Sequence, residues 1–168
     1  KKFTEEVCEI YSKKIKDKMT TIIVRPGNLY GPYDKFDVEK SKVIASLIRK
    51  VVEKQNPINV WGDGEDIKDF LYIDDFIDGL KKIVFNINSF ETLNLASGKG
   101  ITIKEILKMI IRIEKAENLK VEFDKSKPTM IPKRLIDISK AEKIINFSPS
   151  TSMENGLVKT IKWFKETA

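Results

Sequence analysis

The sequence predicts an α/β fold, and three features of the 168-residue chain lead to this prediction. Residues 20–24, TTIIV, form a continuous β-branched run of the kind found in buried parallel strands. Stretches with apolar side chains at helical spacing alternate with further strand-like runs along the chain. Thr102 is followed three residues later by Glu105, the pattern of a capping box at the start of a helix.

The helical segments are defined by apolar spacing and start signals. Helices are predicted at residues 1–16, 43–52, about 74–85, 103 to about 116, 139–145 and 153 to about 166. The first has no capping residue before it, so we expect the true domain to begin upstream. Asp74 or Asp75 is expected to cap the third helix, while Ser139 and Ser152 are expected to cap the last two.

The strands are short apolar runs bounded by turn residues. They are predicted at residues 20–24, 59–61, 68–73, 92–96 and 119–123, with a short extended piece at 135–138. Residues 25–28, RPGN, are expected to break the first strand, and residues 62–64, GDG, form a turn. A buried parallel strand near the start requires neighbours in a sheet, because its backbone groups must be paired.

Composition excludes several classes of function. With 41% apolar and 33% charged residues the chain is typical of a folded domain, and no apolar run approaches the roughly 20 residues of a membrane span. The absence of histidine excludes Ser-His-Asp and Cys-His catalysis and the common zinc sites, so no metal is expected. The single cysteine, Cys8, allows no internal disulfide and suits the cytoplasm; we interpret it as a packing residue.

The net charge of +6 favours an anionic partner. Because the lysines are scattered among acidic residues and form no basic stripe with interleaved aromatics, a nucleic-acid partner is not expected. A filter-binding salt titration would test this, since true nucleic-acid binding falls steeply with salt.

Three blocks resemble the extended short-chain dehydrogenases of the NAD-dependent epimerase/dehydratase family. They are RPGNLYGP at 25–32, WGDG at 61–64 with KDFLYIDD at 68–75, and SKP at 126–128 with PKRLIDI at 132–138. They occur in the family's order and cover nearly the whole chain, and the likeness is greatest to GDP-L-fucose synthases. GDP-mannose 4,6-dehydratases and UDP-sugar 4-epimerases are the more distant alternatives.

The resemblance implies a domain plan. Residues 1–27 would be the last part of a Rossmann-type NAD(P)-binding domain. Residues 28–168 would be mainly the small mixed α/β domain that binds a nucleotide-diphosphate sugar, with residues of about 69–96 returning to the Rossmann core. The glycine-rich phosphate loop is not found, since Gly62-Asp63-Gly64 lacks a third glycine and opens no helix, so the cofactor, NAD or NADP, would be bound mainly by a preceding half.

The resemblance also assigns a catalytic lysine. In the family's Tyr-x-x-x-Lys motif the lysine lowers the pKa of the tyrosine and holds the nicotinamide ribose. After that lysine the family usually shows a glutamate four residues on, often a cysteine seven on and a tyrosine ten on. Counting back from Glu5, Cys8 and Tyr11 gives Lys1, with Lys2 as the alternative. The tyrosine is then expected four residues before Lys1, and the chain alone is expected to be inactive.

The substrate residues implied by the resemblance lie in the three blocks and the second helix. They are Asn28, Lys50, Trp61, Lys68 and Arg134. The basic residues would bind the diphosphate, and Arg134 can do so with two parallel hydrogen bonds. Asn28 would contact the phosphate or the sugar, and with Lys1 and Pro26 it would also lie near the cofactor. The residue types alone leave alternatives: a turn-forming role for Asn28, a core position for Trp61, and Arg49 in place of Lys50.

Lys42 departs from the synthase pattern. The synthases have a histidine there that acts as an acid in epimerisation, whereas a lysine of ordinary pKa, about 10.4, is a poor proton shuttle at neutral pH. We therefore expect Lys42 to occupy a catalytic position while the parent enzyme only reduces, or epimerises at one carbon. Formation of GDP-L-fucose by the full-length parent would refute this.

The alternative hypothesis, from another class of function, is that the chain is a non-catalytic binding or dimerisation module. Family members commonly dimerise through two helices per subunit, and the helix at residues 1–16 matches one of them. Its apolar stripe, from Phe3 to Ile15, is therefore expected to contribute to a homodimer.

Overall fold

The computed structural model describes residues 1–16, 19–127 and 131–167, so the resemblance residue Pro128 lies outside the described part. Its helices are α1 (Lys2–Lys13), α2 (Val43–Val52), α3 (Ile73–Asn86), α4 (Ile103–Glu114), α5 (Ser139–Ile145) and α6 (Met153–Thr167). Its strands are β1 (Ile22–Pro26), β2 (Asn28–Tyr30), β3 (Ile58–Trp61), β4 (Ile67–Tyr72), β5 (Glu91–Leu95), β6 (Gly100–Thr102), β7 (Val121–Asp124) and β8 (Lys133–Arg134). The α/β prediction is confirmed.

The strands pair in three groups. β1 lies parallel to β5, and β3 lies parallel to β7. β4 is the most connected strand, because it pairs with β2 and β8 in parallel and with β6 in antiparallel. The chain passes from β1 to β2 through Gly27, whose N–H donates to the Leu95 carbonyl at 2.8 Å. A Cβ on Gly27 would lie 3.0 Å from that of Ala96, so glycine permits this close approach.

Several predicted boundaries were wrong. β1 runs through Arg25 to Pro26 instead of ending before them, because a proline at the end of a strand withholds only an N–H that the β1–β5 pairing does not require. The extended piece predicted at 135–138 falls instead at Lys133–Arg134, opposite Ile67 and Lys68.

Two predicted helix caps were also wrong. The N-cap of α3 is Tyr72, and the carboxylate of Asp75 is bonded to a distant segment instead of to its own helix. α5 has Ile138 as its N-cap, and the Ser139 N–H donates to Oδ1 of Asp137 at 2.9 Å.

The capping box of α4 and the cap of α6 are confirmed. Oγ1 of Thr102 accepts from the Glu105 N–H at 3.1 Å, and Glu105 accepts from the Thr102 N–H at 2.9 Å. These bonds from the Thr102 backbone and side chain lower the pKa of the Glu105 carboxyl. Oγ of Ser152 accepts from the Asn155 N–H at 3.2 Å, as an N-cap serine does.

Two apolar clusters meet at β4. Core 1 contains residues of α2, β3, α4 and α6 together with Tyr30, Phe70 and Tyr72. Core 2 contains residues of α3, β5 and α5 together with Leu71, and β1 packs against it through Ile22 and Val24. Since successive side chains of a strand point to opposite faces, β4 supplies side chains to both cores in alternation.

Candidate functional site

Asn28 is held by the neighbouring strand. It begins β2 directly after Gly27, and its Nδ2 donates to the backbone carbonyl of Asp69 at 2.7 Å. The residue therefore lies within a strand and not in the turn that its type alone allowed. One N–H of the amide is fixed by this bond, which leaves the other N–H and Oδ1 for a ligand.

Lys68 and Arg134 are partners in the β4–β8 register. The Lys68 ammonium donates to the Ile131 carbonyl and lies 3.0 Å from Oδ2 of Asp66, so two of its three N–H groups are engaged within the protein. Arg134 is exposed, and among residues 1–16, 19–127 and 131–167 no acidic side chain pairs with it. Its planar guanidinium is therefore available to an anion.

Trp61 ends β3, and the side chain of Lys50 reaches the same strand from α2. Lys50 Nζ donates to the Asn59 carbonyl at 2.6 Å, and burial followed by the charge of Arg49 lowers the pKa of Lys50. Arg49, by contrast, is buried and pairs with Glu53 of the same helix end at 3.3 Å. Lys50, and not Arg49, is thus the cation on the β3 side of α2.

Trp61 is not a core residue. It ends β3 with 67% of its surface exposed, and Lys127 Nζ lies 5.8 Å from its ring centroid. An exposed indole with a cation over its face can bind a planar or polar ring of a ligand. Two residues outside these strands contact the two groups: Lys127, after β7, lies over Trp61, and the carbonyl of Ile131, before β8, accepts from Lys68.

Lys1 lies at the end of α1 that is tied to the carboxyl end of β1. Its carbonyl accepts from the Glu5 N–H at 3.1 Å, and the Glu5 carboxylate takes two bonds from Arg25, one of them 3.0 Å from Nε. Arg25 precedes Pro26, which is exposed at the end of β1. Pro26, at the end of β1, and Asn28, two residues later, lie where the parallel strands β1 and β5 end, the usual side for ligands in such sheets, and the Glu5–Arg25 pair ties the first turn of α1 to the same strand end.

Lys42 is the N-cap of α2, and it is exposed. Its carbonyl accepts from the Ser46 N–H at 2.8 Å. Lys50 lies near the other end of the same helix, about 12 Å away by helical rise. Within the described part of the chain, no hydrogen bond or ion pair joins Lys42 to Asn28 or Arg134.

The sequence reading missed Asp69 and Lys127. Asp69 lies in β4 with none of its surface exposed, and it accepts from Ser97 and Gly98 as well as from Asn28. An acidic residue directly before the apolar run Phe70–Tyr72 of a predicted strand was the available signal for Asp69. Lys127 carried none, because only folding brings its loop over Trp61.

The described residues contain neither a candidate metal cluster nor a candidate membrane-spanning helix. No group of three or more Cys, Asp or Glu side chains there is arranged to hold a metal ion. Among the helices that the structure describes, none combines the length and apolar character required to cross a bilayer.

Comparisons with known proteins agree with this architecture. The chain is 33% identical over 165 residues to the probable GDP-L-fucose synthase 1 of Oryza sativa subsp. japonica, which covers 96% of this chain and 49% of that protein. It is 35% identical over 147 residues to the GDP-L-colitose synthase of Yersinia pseudotuberculosis, covering 83% of this chain and 46% of that one. The chain thus spans about half the length of the curated relatives it matches.

A solved structure shows the same fold. The UDP-glucuronic acid 4-epimerase from Bacillus cereus, in complex with UDP-glucuronic acid and NAD, superimposes with a TM-score of 0.83 and 28% identity over 98% of this chain and 50% of that one. The family described as "NAD dependent epimerase/dehydratase family" matches residues 1–96, which is more than half of the 168. The chain belongs to the NAD-dependent epimerase/dehydratase family.

Proposed function

We propose that this chain forms the nucleotide-sugar-binding portion of an NAD(P)-dependent nucleotide-sugar epimerase/reductase of the GDP-L-fucose synthase type, and that it is inactive alone. The observation that carries the proposal is the free guanidinium of Arg134. It lies beside Lys68 on adjacent strands, while Asn28 is bonded to the next residue of β4, Asp69.

These three side chains suit a diphosphate sugar. Arg134 can bind two phosphate oxygens with parallel N–H groups, and Lys68 retains one N–H for the same anion. Asn28 offers one N–H and one acceptor to a phosphate oxygen or a sugar hydroxyl. Trp61, which Lys127 contacts, and Lys50 would then lie along the nucleoside or the sugar.

The residues of this chain fit only one side of a nicotinamide cofactor. Exposed Pro26 and Asn28 lie at the carboxyl end of β1, and together with Lys1 they would contact the nicotinamide ribose and ring. Gly62 and Gly64 do not form a phosphate cradle, since they lie in the turn between β3 and β4 and open no helix. When bound, NAD or NADP supplies hydride transfer; the chain's part is to hold the sugar against it.

The domain plan implied by the resemblance is part of the proposal. Core 2, which joins β1, β5 and α3, would belong to the Rossmann domain, and core 1 would be the substrate domain. α5 packs in core 2 as well, so residues 139–145 would join residues 69–96 in returning to the Rossmann side. The 4,6-dehydratase and 4-epimerase activities remain the alternatives for the parent.

Calorimetric titration of the 168-residue chain tests the proposal. We expect the chain to bind GDP and to bind no NADPH. The variant R134A is expected to weaken GDP binding about tenfold or more, because a charge-assisted bidentate contact is lost. R134K should recover only part of it, since the forked geometry is absent.

The matched control is R112A. Arg112 is also exposed, but it pairs with Glu154 at 2.8 Å on the α4–α6 surface, so GDP affinity should not change. A chain that fails to bind GDP and other nucleoside diphosphates would refute nucleotide-sugar binding. Tight NADPH binding by this chain would refute the proposal that the cofactor is bound mainly by a preceding half of the parent protein.

A second role is supported by α1. This helix has no buried residue, and Phe3 is 76% exposed, with Ile10 and Tyr11 also exposed. We propose that this apolar stripe is a homodimer contact of the parent protein. In sedimentation velocity, F3E/I10E is expected to shift the full-length dimer to monomer, whereas E6K/E9K on the same helix leaves it dimeric; a wild-type monomer would refute the proposal.

A further inference from the structure

Asp69 is a buried carboxylate whose bonds go to uncharged groups. None of its surface is exposed. Oδ1 accepts from the N–H and the Oγ of Ser97 at 2.8 and 2.7 Å, and Oδ2 accepts from the Gly98 N–H at 3.0 Å. Within residues 1–16, 19–127 and 131–167 no lysine or arginine pairs with it. A buried charge is costly unless it is fully hydrogen-bonded, so these three donors are what stabilise it.

The side chain of Asp69 fixes the turn that follows β5. Ser97, Gly98 and Lys99 form this turn, and Gly98 adopts a left-handed φ of 70°. Two successive backbone N–H groups point at the carboxylate, and the Ser97 hydroxyl also accepts from the Lys99 N–H at 3.1 Å. The turn is therefore attached to β4 at the carboxyl end of β5, next to the strand that leads into Asn28.

The main chain of Asp69 fixes Asn28. Its carbonyl accepts the Asn28 amide N–H at 2.7 Å, across the β2–β4 pairing. One residue thus holds the turn after β5 with its side chain and the proposed ligand amide with its backbone. Lys68, the residue before it, lies in register with Arg134.

We propose that Asp69 is a positioning residue of the ligand site, a role that rests on the proposed nucleotide-sugar binding. Its carboxylate locks β4 against the 97–99 turn, and this keeps the Asp69 carbonyl where it orients the amide of Asn28. Loss of the carboxylate leaves two backbone N–H groups without an acceptor, so the turn shifts and the carbonyl moves with β4. The consequence reaches the ligand through Asn28.

Asp75 supplies a matched control within the same molecule. It is also buried, with 7% of its surface exposed, and it accepts from the N–H and Oγ of Ser150 at 3.2 and 3.3 Å and from the Thr151 N–H at 3.1 Å. The bonding pattern repeats that of Asp69, with two backbone N–H groups and one serine hydroxyl. Its partners precede α6, however, and none of these bonds involves a residue assigned to the ligand.

The experiment compares the two aspartates in the full-length protein. GDP affinity is measured by calorimetry, and melting temperature by differential scanning calorimetry, for D69N, D75N, N28A and the double variant N28A/D69N. Both aspartate substitutions should lower the melting temperature, since each removes an acceptor from buried N–H groups. D69N should weaken GDP binding about tenfold and D75N by less than about twofold, because only the first carboxylate is coupled to Asn28.

The double variant separates positioning from general loosening of the fold. If Asp69 acts through Asn28, D69N adds no further loss of affinity in the N28A background, although it still lowers the melting temperature. Equal effects of D69N and D75N on GDP affinity, or additive effects of N28A and D69N, would overturn the proposal. If D69N fails to fold, S97A removes a single donor, and about threefold weaker GDP binding is expected; unchanged affinity overturns the proposal. A wild-type protein that binds no nucleoside diphosphate refutes the proposed function itself.

Discussion

Replacing Gly156 by alanine is expected to lower the free energy of unfolding by about 3 kcal/mol, because the new methyl group has no room in core 1. Gly156 is buried in α6, and a Cβ built on it lies 2.1 Å from the Tyr30 hydroxyl oxygen and 2.8 Å from Cζ. The Tyr30 ring is only 4% exposed and packs edge-on against Tyr72 with centroids 5.6 Å apart. Alanine has the higher helix propensity, by about 1 kcal/mol. This gain in stability is smaller than the cost that we expect from the overlap.

Urea denaturation of the 168-residue chain measures this effect. The double variant Y30F/G156A should regain part of the loss, because the closest atom is removed while Cζ remains at 2.8 Å. V158A, on the exposed side of the same helix, should change the free energy by less than about 0.5 kcal/mol. Burial, and then Tyr72 and Asp75, raise the pKa of Tyr30, so the same comparison holds at any pH near neutrality. A G156A variant as stable as the wild type would show that the Tyr30 ring moves without cost.

Full-length protein supplied with 4-keto-6-deoxy GDP-mannose and NADPH is expected to give a reduced sugar nucleotide and no GDP-L-fucose. The resemblance places Lys42 where the synthases carry an acidic histidine, and the structure leaves Lys42 exposed at the start of α2. Free lysine has a reference pKa of about 10.4 and free histidine one of about 6.5, a difference of roughly four powers of ten in acidity. We therefore expect proton delivery by a lysine in place of that histidine to be too weak for the second inversion.

Product analysis by NMR tests this expectation, with K42H as the informative variant. If acidity at position 42 is limiting, K42H should produce GDP-L-fucose that the wild type does not. K40H introduces a histidine in the same loop, next to the carboxylate of Asp37 that accepts the Lys40 N–H, and should produce none. Formation of GDP-L-fucose by the wild type would show that a lysine at position 42 is compatible with the second inversion.

Local signals in the sequence were sufficient for many of the elements. α2 begins and ends where its apolar stripe predicted, and the Thr102–Glu105 capping box forms because both partners lie within one turn. The caps failed where a distant partner competed. Asp75 bonds residues 75 and 76 positions away, and no pattern within a helical turn reveals that.

The residues of the candidate site also include some that the sequence identified and some that only the fold reveals. The motif blocks identified Asn28, Lys68 and Arg134 as candidates, and their roles stay predictions; the strands that hold Asn28 and Arg134 beside β4 were not predicted. The choice of Lys50 over Arg49 depended on the rotation of α2, and the exposure of Trp61 depended on where β3 ends. Asp69 escaped notice because its role depends on bonds to residues 28 and 29 positions further along the chain.

Strand β4 is not expected to tolerate the insertion or deletion of a single residue. Phe70 and Tyr72 face one core, Leu71 faces the other, and Asp69 meets the turn after β5. A single inserted or deleted residue in β4 would exchange the two faces, because side chains alternate with a period of two. Such a change would expel the aromatic rings from core 1 and carry the buried carboxylate away from its donors. Homologous proteins that differ in length are therefore expected to differ outside β4, for example between β2 and α2, while the interval from Ile67 to Asp75 keeps its count of residues.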